Sequence, residues 1–424
     1  MDTLAPTHVD RQALAARYRA GRRRTADIFG LIAPEAYEER PIPLRHPFVF
    51  YAGHLPAFAF ATLVRDALHR PSIDPELERL FYRGIDPRDA EAAKQHERAA
   101  WPARAEIERF GACCDDAILD AYANAVLDDP RTPNLVRAEA AHTILEHEEM
   151  HHETLMYIIH RLARDKQRGP RAAHRDVAPP RREPIAIPAG RATLGADRDA
   201  LAFGWDNEFE RTEVDVPAFA LDAYDVTNGE YLEFVRAGGA VPPFWFERDG
   251  AWMLLGAFED LPLPLSWPVY CTQEQAAAFC AWSGGRLPTE AEYHRAAYGT
   301  PGGTERAQPW GDAAPDPRIH GNFGWRRYDP EPVGSSPRGA SAWGAHDLIG
   351  NGWEWTATPF APLPGFRVMA SYPVYSADFF DGQHYVMKGA SPVTAAGLVR
   401  RSLRNWFYYD YQYAYATFRR AYSR

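Results

Sequence analysis

The stretch Glu146-His147-Glu148-Glu149-Met150-His151-His152-Glu153-Thr154-Leu155 lies inside a longer run, Arg137 to Leu162, whose apolar residues recur at helical spacing. Residues four apart project from one helical face, so His147 and His151 can direct two imidazole nitrogens at one point. Ile144, Leu155 and Ile158 share that face, which makes it the inward stripe of a bundle. A buried imidazole without a partner is costly, and a metal ion would satisfy it.

Around this helix the chain is rich in Ala, Leu, Arg and Glu and poor in β-branched residues. Asp10 to Phe29, Leu55 to Leu68, Arg104 to Leu127 and Arg137 to Leu162 predict four helices, hence a four-helix bundle over residues 1–163. Residues 164–183 turn to Arg, Pro, Gly and Ala, including Gly169-Pro170 and Pro179-Pro180, and read as a linker. From 184 to 424 the chain is rich in Gly, Pro, Trp and Tyr. Ile185 to Ile187 and Thr212 to Val216 read as strands, and Thr272 to Ser283 and Thr289 to Ala297 as helices. The fold class expected is therefore α followed by α+β, the second domain irregular and held by buried aromatics, with no internal repeat.

A chain of 424 residues exceeds what one core usually organises, which agrees with two domains. Hydrophobic residues at 46% exclude a mostly disordered chain. A net charge of −10 supplies no basic face for nucleic acid or an anionic membrane, so a small-molecule substrate is expected, handled by a monomer or homodimer. The four cysteines, Cys113, Cys114, Cys271 and Cys280, form no CxxC pair and suit a reducing cytoplasm. Met1 through Arg24 lacks the apolar core of a signal peptide, and no later stretch reads as the ~20 apolar residues of a membrane span.

A third ligand must come from another helix. His54, in Phe48-Val49-Phe50-Tyr51-Ala52-Gly53-His54-Leu55-Pro56, is the best placed because it opens an apolar helix. Three neutral imidazoles suit zinc, iron, copper and nickel alike, so spacing alone does not name the metal. His147 to His151 also matches HExxH, in which Glu148 would activate a zinc-bound water; Glu148 or Glu153 would be the base of such a hydrolase or thiol transferase. His46, His142, His152 and His160 read as structural.

Gly53-His54-Leu55 followed by His147-Glu-Glu-Met-His151-His-Glu153 resembles the DinB-like domain of the ergothioneine and selenoneine synthases. Gly284-Gly285-Arg286-Leu287-Pro288-Thr289-Glu290-Ala291-Glu292, His346-Asp347-Leu348-Ile349-Gly350-Asn351-Gly352-Trp353-Glu354-Trp355, Lys388-Gly389-Ala390-Ser391, Arg404-Asn405-Trp406 and Phe418-Arg419 resemble the formylglycine-generating-enzyme, C-type-lectin-like fold. The resemblance covers nearly the whole chain, in the domain order of the hercynine-processing enzymes. It implies iron(II), Fe(II), on His54, His147 and His151, dioxygen (O2) as cosubstrate, and hercynine, Nα-trimethylhistidine, as acceptor; it leaves open a structural calcium ion, Ca2+, in the second domain. A formylglycine generator is disfavoured, because no cysteine follows Cys280.

By the same resemblance Asn405 and Trp406 hold the betaine, with Phe407 in the same cage. A quaternary ammonium cannot donate a hydrogen bond and prefers an aromatic face, while an amide suits the carboxylate. Tyr372 or Tyr375 would supply a proton or hydrogen bond at the iron, and Tyr82 and Arg83 would bind the donor. Where mycobacterial-type members carry Asp and Arg to grip γ-glutamylcysteine, this chain has Phe407 and Tyr411, and Met150 replaces a Gln. The run Trp406 to Tyr413, including Tyr409 and Tyr411, suits a sugar-like donor. With Gly53 to Phe58 it favours the selenoneine branch, which uses a selenosugar, over ergothioneine synthases using cysteine or γ-glutamylcysteine.

Overall fold

Asp10 accepts a hydrogen bond from the Ala13 N–H (2.9 Å) and starts α1 (Arg11–Phe29). The computed structural model describes residues 9–82, 100–180 and 183–423. Two compact units result: Met1–Pro170 with Met369–Pro373, and Arg171–Val368 with Val374–Arg424.

The first unit is built on α1, α2 (Phe48–Ala59), α3 (Pro75–Phe81), α4 (Arg104–Asn124) and α5 (Glu139–His160). α1 packs on α4 and α5, and α2 on α3, α4 and α5. α2 begins seven residues before the expected start at Leu55 and runs on as a π-helix, Phe60–Ala67, so His54 lies within the helix rather than opening it. Proline normally sits in a first turn, yet Pro56 is interior here; nearly every residue of α2 is buried, and that packing offsets the lost backbone bond. Phe48–Ala67 is also long and apolar enough to cross a membrane, which corrects the expectation that no such stretch exists. The most apolar part of it is 89% buried within the protein, as a core helix would be.

The expected linker is bonded at both ends. Ala33 N–H donates to Lys166 O (2.8 Å), Arg168 N–H to Leu31 O (2.7 Å), and the Gln167 amide to Ile159 O (2.8 Å), all in the first unit. In the second unit Asp176 accepts from the Leu265 and Ser266 N–H groups (3.0 Å each), and Arg175 O from the Trp267 indole (2.8 Å). Lack of an apolar period signals irregular backbone there, not lack of partners.

In the second unit, α6 (Asn228–Arg236), α7 (Gln273–Trp282) and α8 (Glu290–Tyr298) each begin with a capping box: Thr227 with Glu230, Thr272 with Gln275, Thr289 with Glu292. The central sheet has the order β10 (Asn405–Tyr408), β9 (His384–Ala390), β8 (Gly352–Pro359), β11 (Ala416–Thr417). β1 (Pro184–Ile187), β4 (Phe219–Asp222) and β12 (Ala421–Ser423) form a second sheet, β2 (Gly190–Leu194) with β3 (Thr212–Val216) a ribbon, and β5 (Trp245–Arg248), β6 (Ala251–Leu255) and β7 (Asp260–Pro262) a third sheet.

Buried arginines tie this unit together. Arg419 is fully buried; its guanidinium donates to both oxygens of Glu354 on β8 (2.6 and 2.8 Å), to Asp225 (3.0 Å) and to His346 O (2.8 Å). Nearby, Asp347 adopts a left-handed φ of 55° and accepts from the Gly334 N–H (2.5 Å). Burial, opposed by that hydrogen bond and by Arg419, raises its pKa to about 6. A carboxyl raised in the folded state binds more protons folded than unfolded between roughly pH 4 and 6. Its ionisation therefore costs stability above pH 6 and nothing below its unfolded pKa. Asp347→Asn keeps a residue suited to left-handed backbone and an oxygen for Gly334. The expected result is a higher Tm at pH 8 and an unchanged one at pH 4; equal shifts at both values would contradict this account.

Candidate metal centre

α5 carries two sets of polar side chains on different faces, and each set has its own partner. Towards α1, Arg17 forms a two-bond pair with Glu149 (2.9 and 2.6 Å). Arg22 reaches Glu148 (3.0 Å) and Asp115 (2.9 Å), and the Thr25 hydroxyl bonds Glu148 (2.5 Å) and lies 2.8 Å from His152 Nε2. Burial depresses the His152 pKa to about 3. These contacts fix the rotation of α5 about its axis. His147 and His151 then turn towards α2, where His54 meets them.

The three histidines each offer one nitrogen, and the three atoms lie within 4.8 Å of one another. Among the described residues no other group of three His, Cys, Asp or Glu side chains converges in this way. His54 Nδ1 lies 2.7 Å from Phe81 O. A carbonyl only accepts, so Nδ1 carries the hydrogen and Nε2 keeps its lone pair. Gly53 makes this bond possible: a Cβ there would stand 2.5 Å from the Phe81 ring, so only glycine lets the end of α3 come so close.

Burial lowers the His54 pKa to about 4 and drives those of His147 and His151 well below the usual value, with neighbouring imidazoles adding to the effect. The ligating form is thus the resting form. His147 Nε2 and His151 Nε2 stand 3.2 Å apart, and His151 Nδ1 is buried with no hydrogen-bond partner. Two neutral imidazoles at that separation either share one ring's own N–H or present both lone pairs to a cation, and a nitrogen of His54 converges on the same point. A metal ion fits.

Aromatic rings hold the ligands. Phe58 stacks on His147 (3.6 Å, 13°) and Phe50 on His54 (5.1 Å, 16°). Phe50, His54 and Phe58 are four apart, a signal present in the sequence that ligand spacing alone did not pick out. Tyr372 arrives from residues 369–373 and sets its ring edge-on to Phe58 (5.0 Å) and His147 (5.9 Å). Tyr375, three residues on, belongs to the second unit, where it is buried, stacks on Trp205 (3.9 Å) and abuts Trp406 (5.2 Å). Of the two tyrosines, Tyr372 is the one beside the candidate ligand His147.

Glu148, the base that an HExxH hydrolase would need, faces α1 and is engaged by Arg22 and Thr25; Glu153 accepts from the Tyr157 hydroxyl (2.6 Å). The zinc hydrolase reading loses its base.

In the second unit Trp406 is the end of a column. Glu290 holds Arg404 by two bonds (2.9 and 3.1 Å), the guanidinium lies over Phe360 (5.1 Å), and Phe360 stacks on Trp406 (4.1 Å, 6°). Phe379 adds a tilted ring (5.7 Å). Strand alternation sends Phe407 to the face of β10 opposite Trp406, where it stacks on Tyr411 (4.3 Å, 5°). Phe407 therefore lies away from the Trp406 ring, whose aromatic neighbours are Phe360, Phe379 and Tyr375. Asn405 Oδ1 accepts from the Trp406 N–H (2.8 Å), and Tyr409 is exposed. Tyr82 is exposed, with Arg65 over its ring (5.0 Å), and Arg83 lies outside the described residues.

Comparison with known proteins agrees with both units. Residues 17–155 match the DinB superfamily, and residues 170–423 match the sulfatase-modifying factor enzyme 1-like domain. A hercynine oxygenase of Mycolicibacterium thermoresistibile is 34% identical over 396 residues, 86% of this chain and 84% of that protein. One from Mycolicibacterium smegmatis is 30% identical over 434 residues, 94% of this chain and 96% of its own length. The chain belongs to the hercynine oxygenase family. Ergothioneine biosynthesis protein 1 of Neurospora crassa is 27% identical over 91% of this chain and 55% of that longer protein. The expected architecture, a helical DinB domain followed by a formylglycine-generating-enzyme-like domain, is therefore that of this hercynine oxygenase family member.

The geometry makes a direct prediction about metal content. Iron-loaded protein, desalted anaerobically, should retain its ion, and His54→Ala, His147→Ala and His151→Ala should each lose it. Gly53→Ala, which displaces Phe81 from His54, should weaken affinity by about 10- to 100-fold. Full metal retention by His54→Ala would contradict the three-ligand centre.

Proposed function

We propose that this chain is an oxygen-dependent synthase that replaces the C2 hydrogen of the hercynine imidazole with a carbon–selenium or carbon–sulfur bond, with a selenosugar as the preferred donor. The observation that carries it is the convergence of three neutral imidazoles in a chain 34% identical to a hercynine oxygenase. The reaction is an oxidation: the C–H bond and the donor's Se–H or S–H bond are given up, and dioxygen accepts the electrons and protons.

His54, His147 and His151 would hold iron(II), which when bound supplies the capacity to react with dioxygen. The protein's own groups do the rest. Phe50 and Phe58 pack against His54 and His147, and the bond from His54 to Phe81 O fixes the His54 ring. Tyr372 carries the phenol beside His147 and is the group assigned to give a proton or hydrogen bond to reduced oxygen. Trp406, held flat by the Phe360 and Arg404 column, is assigned to the trimethylammonium, and Asn405 to the carboxylate.

The donor preference rests on Phe407 and Tyr411. An acid and a base at these positions would grip an amino-acid backbone; a stacked aromatic pair offers ring faces and a phenol hydroxyl instead, which suits a sugar. Tyr409 and Tyr82 are exposed phenols assigned to the same donor, together with Arg83. A cytoplasmic location suits a chain whose four cysteines are all free.

Aerobic assays of the iron-loaded enzyme with hercynine and a selenosugar, cysteine or γ-glutamylcysteine, read by mass spectrometry, decide the donor. A selenium-substituted product formed at a higher kcat/KM than either thiol product is the expected outcome. Turnover with thiols alone would move the protein to the ergothioneine branch, and no C2-substituted product with any donor would defeat the class. Trp406→Ala should raise the KM for hercynine roughly 30-fold, the equivalent of a desolvated cation–π contact of ~2 kcal/mol. An unchanged KM would remove Trp406 from the betaine site.

A further inference from the structure

The ligand stripe of α5 does not begin at His147. Glu139, Thr143, His147 and His151 follow one another at four-residue intervals, so one face carries a carboxylate, a hydroxyl and two imidazoles in line. Residues 369–373 lie along the first half of that stripe. The Ser371 N–H donates to Glu139 Oε1 (2.8 Å), and the Ser371 hydroxyl lies 2.8 Å from the Thr143 hydroxyl, whose residue is fully buried. Tyr372 comes next and reaches Phe58 and His147. Pro373 follows, and a residue before proline is confined to extended backbone, so Tyr372 has little freedom once Ser371 is fixed.

We infer that Glu139 and Thr143 are positioning residues that clamp Ser371 and thereby hold the Tyr372 ring against Phe58 and His147. The inference rests on the oxidative reading only for its catalytic consequence; the clamp itself is a property of the fold. The carboxylate fixes the backbone by a charge-assisted bond, and the buried hydroxyl fixes the side chain, so together they determine both the height and the rotation of the segment along α5. Neither residue touches the metal ligands' nitrogens. Their effect on the reaction passes through Tyr372.

The test uses the full-length, iron-loaded enzyme. Glu139→Ala and Thr143→Val remove the two clamp contacts; Glu139→Gln and Thr143→Ser keep an acceptor and a hydroxyl. Hydrogen exchange of peptides covering 369–373 and 139–160 is measured beside iron content, kcat and the KM for hercynine. The expected result is faster exchange in 369–373 for the Ala and Val variants, with unchanged protection of 139–160 and unchanged iron. In the same variants kcat should fall by about 10- to 100-fold, the scale of a misplacement near 1 Å, while KM stays within about twofold. Glu139→Gln and Thr143→Ser should restore both exchange and kcat. Unchanged exchange in 369–373 would overturn the clamp, and faster exchange with kcat unchanged would overturn its positioning role. If wild-type enzyme fails to turn over hercynine, the functional proposal falls, and exchange alone still upholds or rejects the clamp.

Discussion

The pairing of Glu148 with Arg22 is the interaction on which the metal centre depends. A carboxylate buried in a helical bundle is costly unless paired, and the contacts formed here turn Glu148, Glu149 and His152 towards α1. Rotation of α5 is thereby fixed, and the residues on its other face have no choice but to meet α2. A helix held by apolar contacts alone could roll by a fraction of a turn at small cost; a helix with buried ion pairs on one side cannot. The acidic residues that give the segment its likeness to a hydrolase motif thus act as anchors.

A complementary logic operates on α2. His54 needs a fixed tautomer, which demands a carbonyl at its Nδ1, which in turn demands that α3 end close against α2. Gly53 supplies the room, and the loss of helix propensity at glycine is offset by the packing of Phe81 and by the hydrogen bond. The glycine and the histidine that follow one another in the sequence are one device: the first admits the partner that orients the second.

The second unit solves a different problem. With short strands and long irregular connections it has little regular backbone to fix its shape, and buried guanidinium groups do that work. Arg419 joins β8 to the segments after β4, and Arg400 pairs with Glu208, which also accepts from Ser402 (2.6 Å). Arg404 extends from Glu290 to the aromatic column under Trp406. Planar, five-donor side chains can satisfy several carbonyls and carboxylates at once, which suits them to junctions where no ladder of backbone bonds is available.

The helical bundle, the two helices α7 and α8, and the placing of His147 and His151 on one helical face were legible in the residues alone, because each follows from a periodicity a few residues long; His54 was singled out for opening a helix that in fact begins at Phe48. The sequence did not place the start of α2, since a proline inside a helix is tolerated only when tertiary packing offsets it. It also grouped Phe407 with Trp406, neighbours in the chain that a strand turns to opposite faces. That Tyr372 and not Tyr375 lies beside His147 was beyond any local rule: both sit in one short aromatic segment, which meets Glu139 and Thr143, more than two hundred residues earlier, through Ser371. Local spacing says which side chains can share a face; which distant segment covers that face is decided by hydrogen bonds that exist only once the chain has folded.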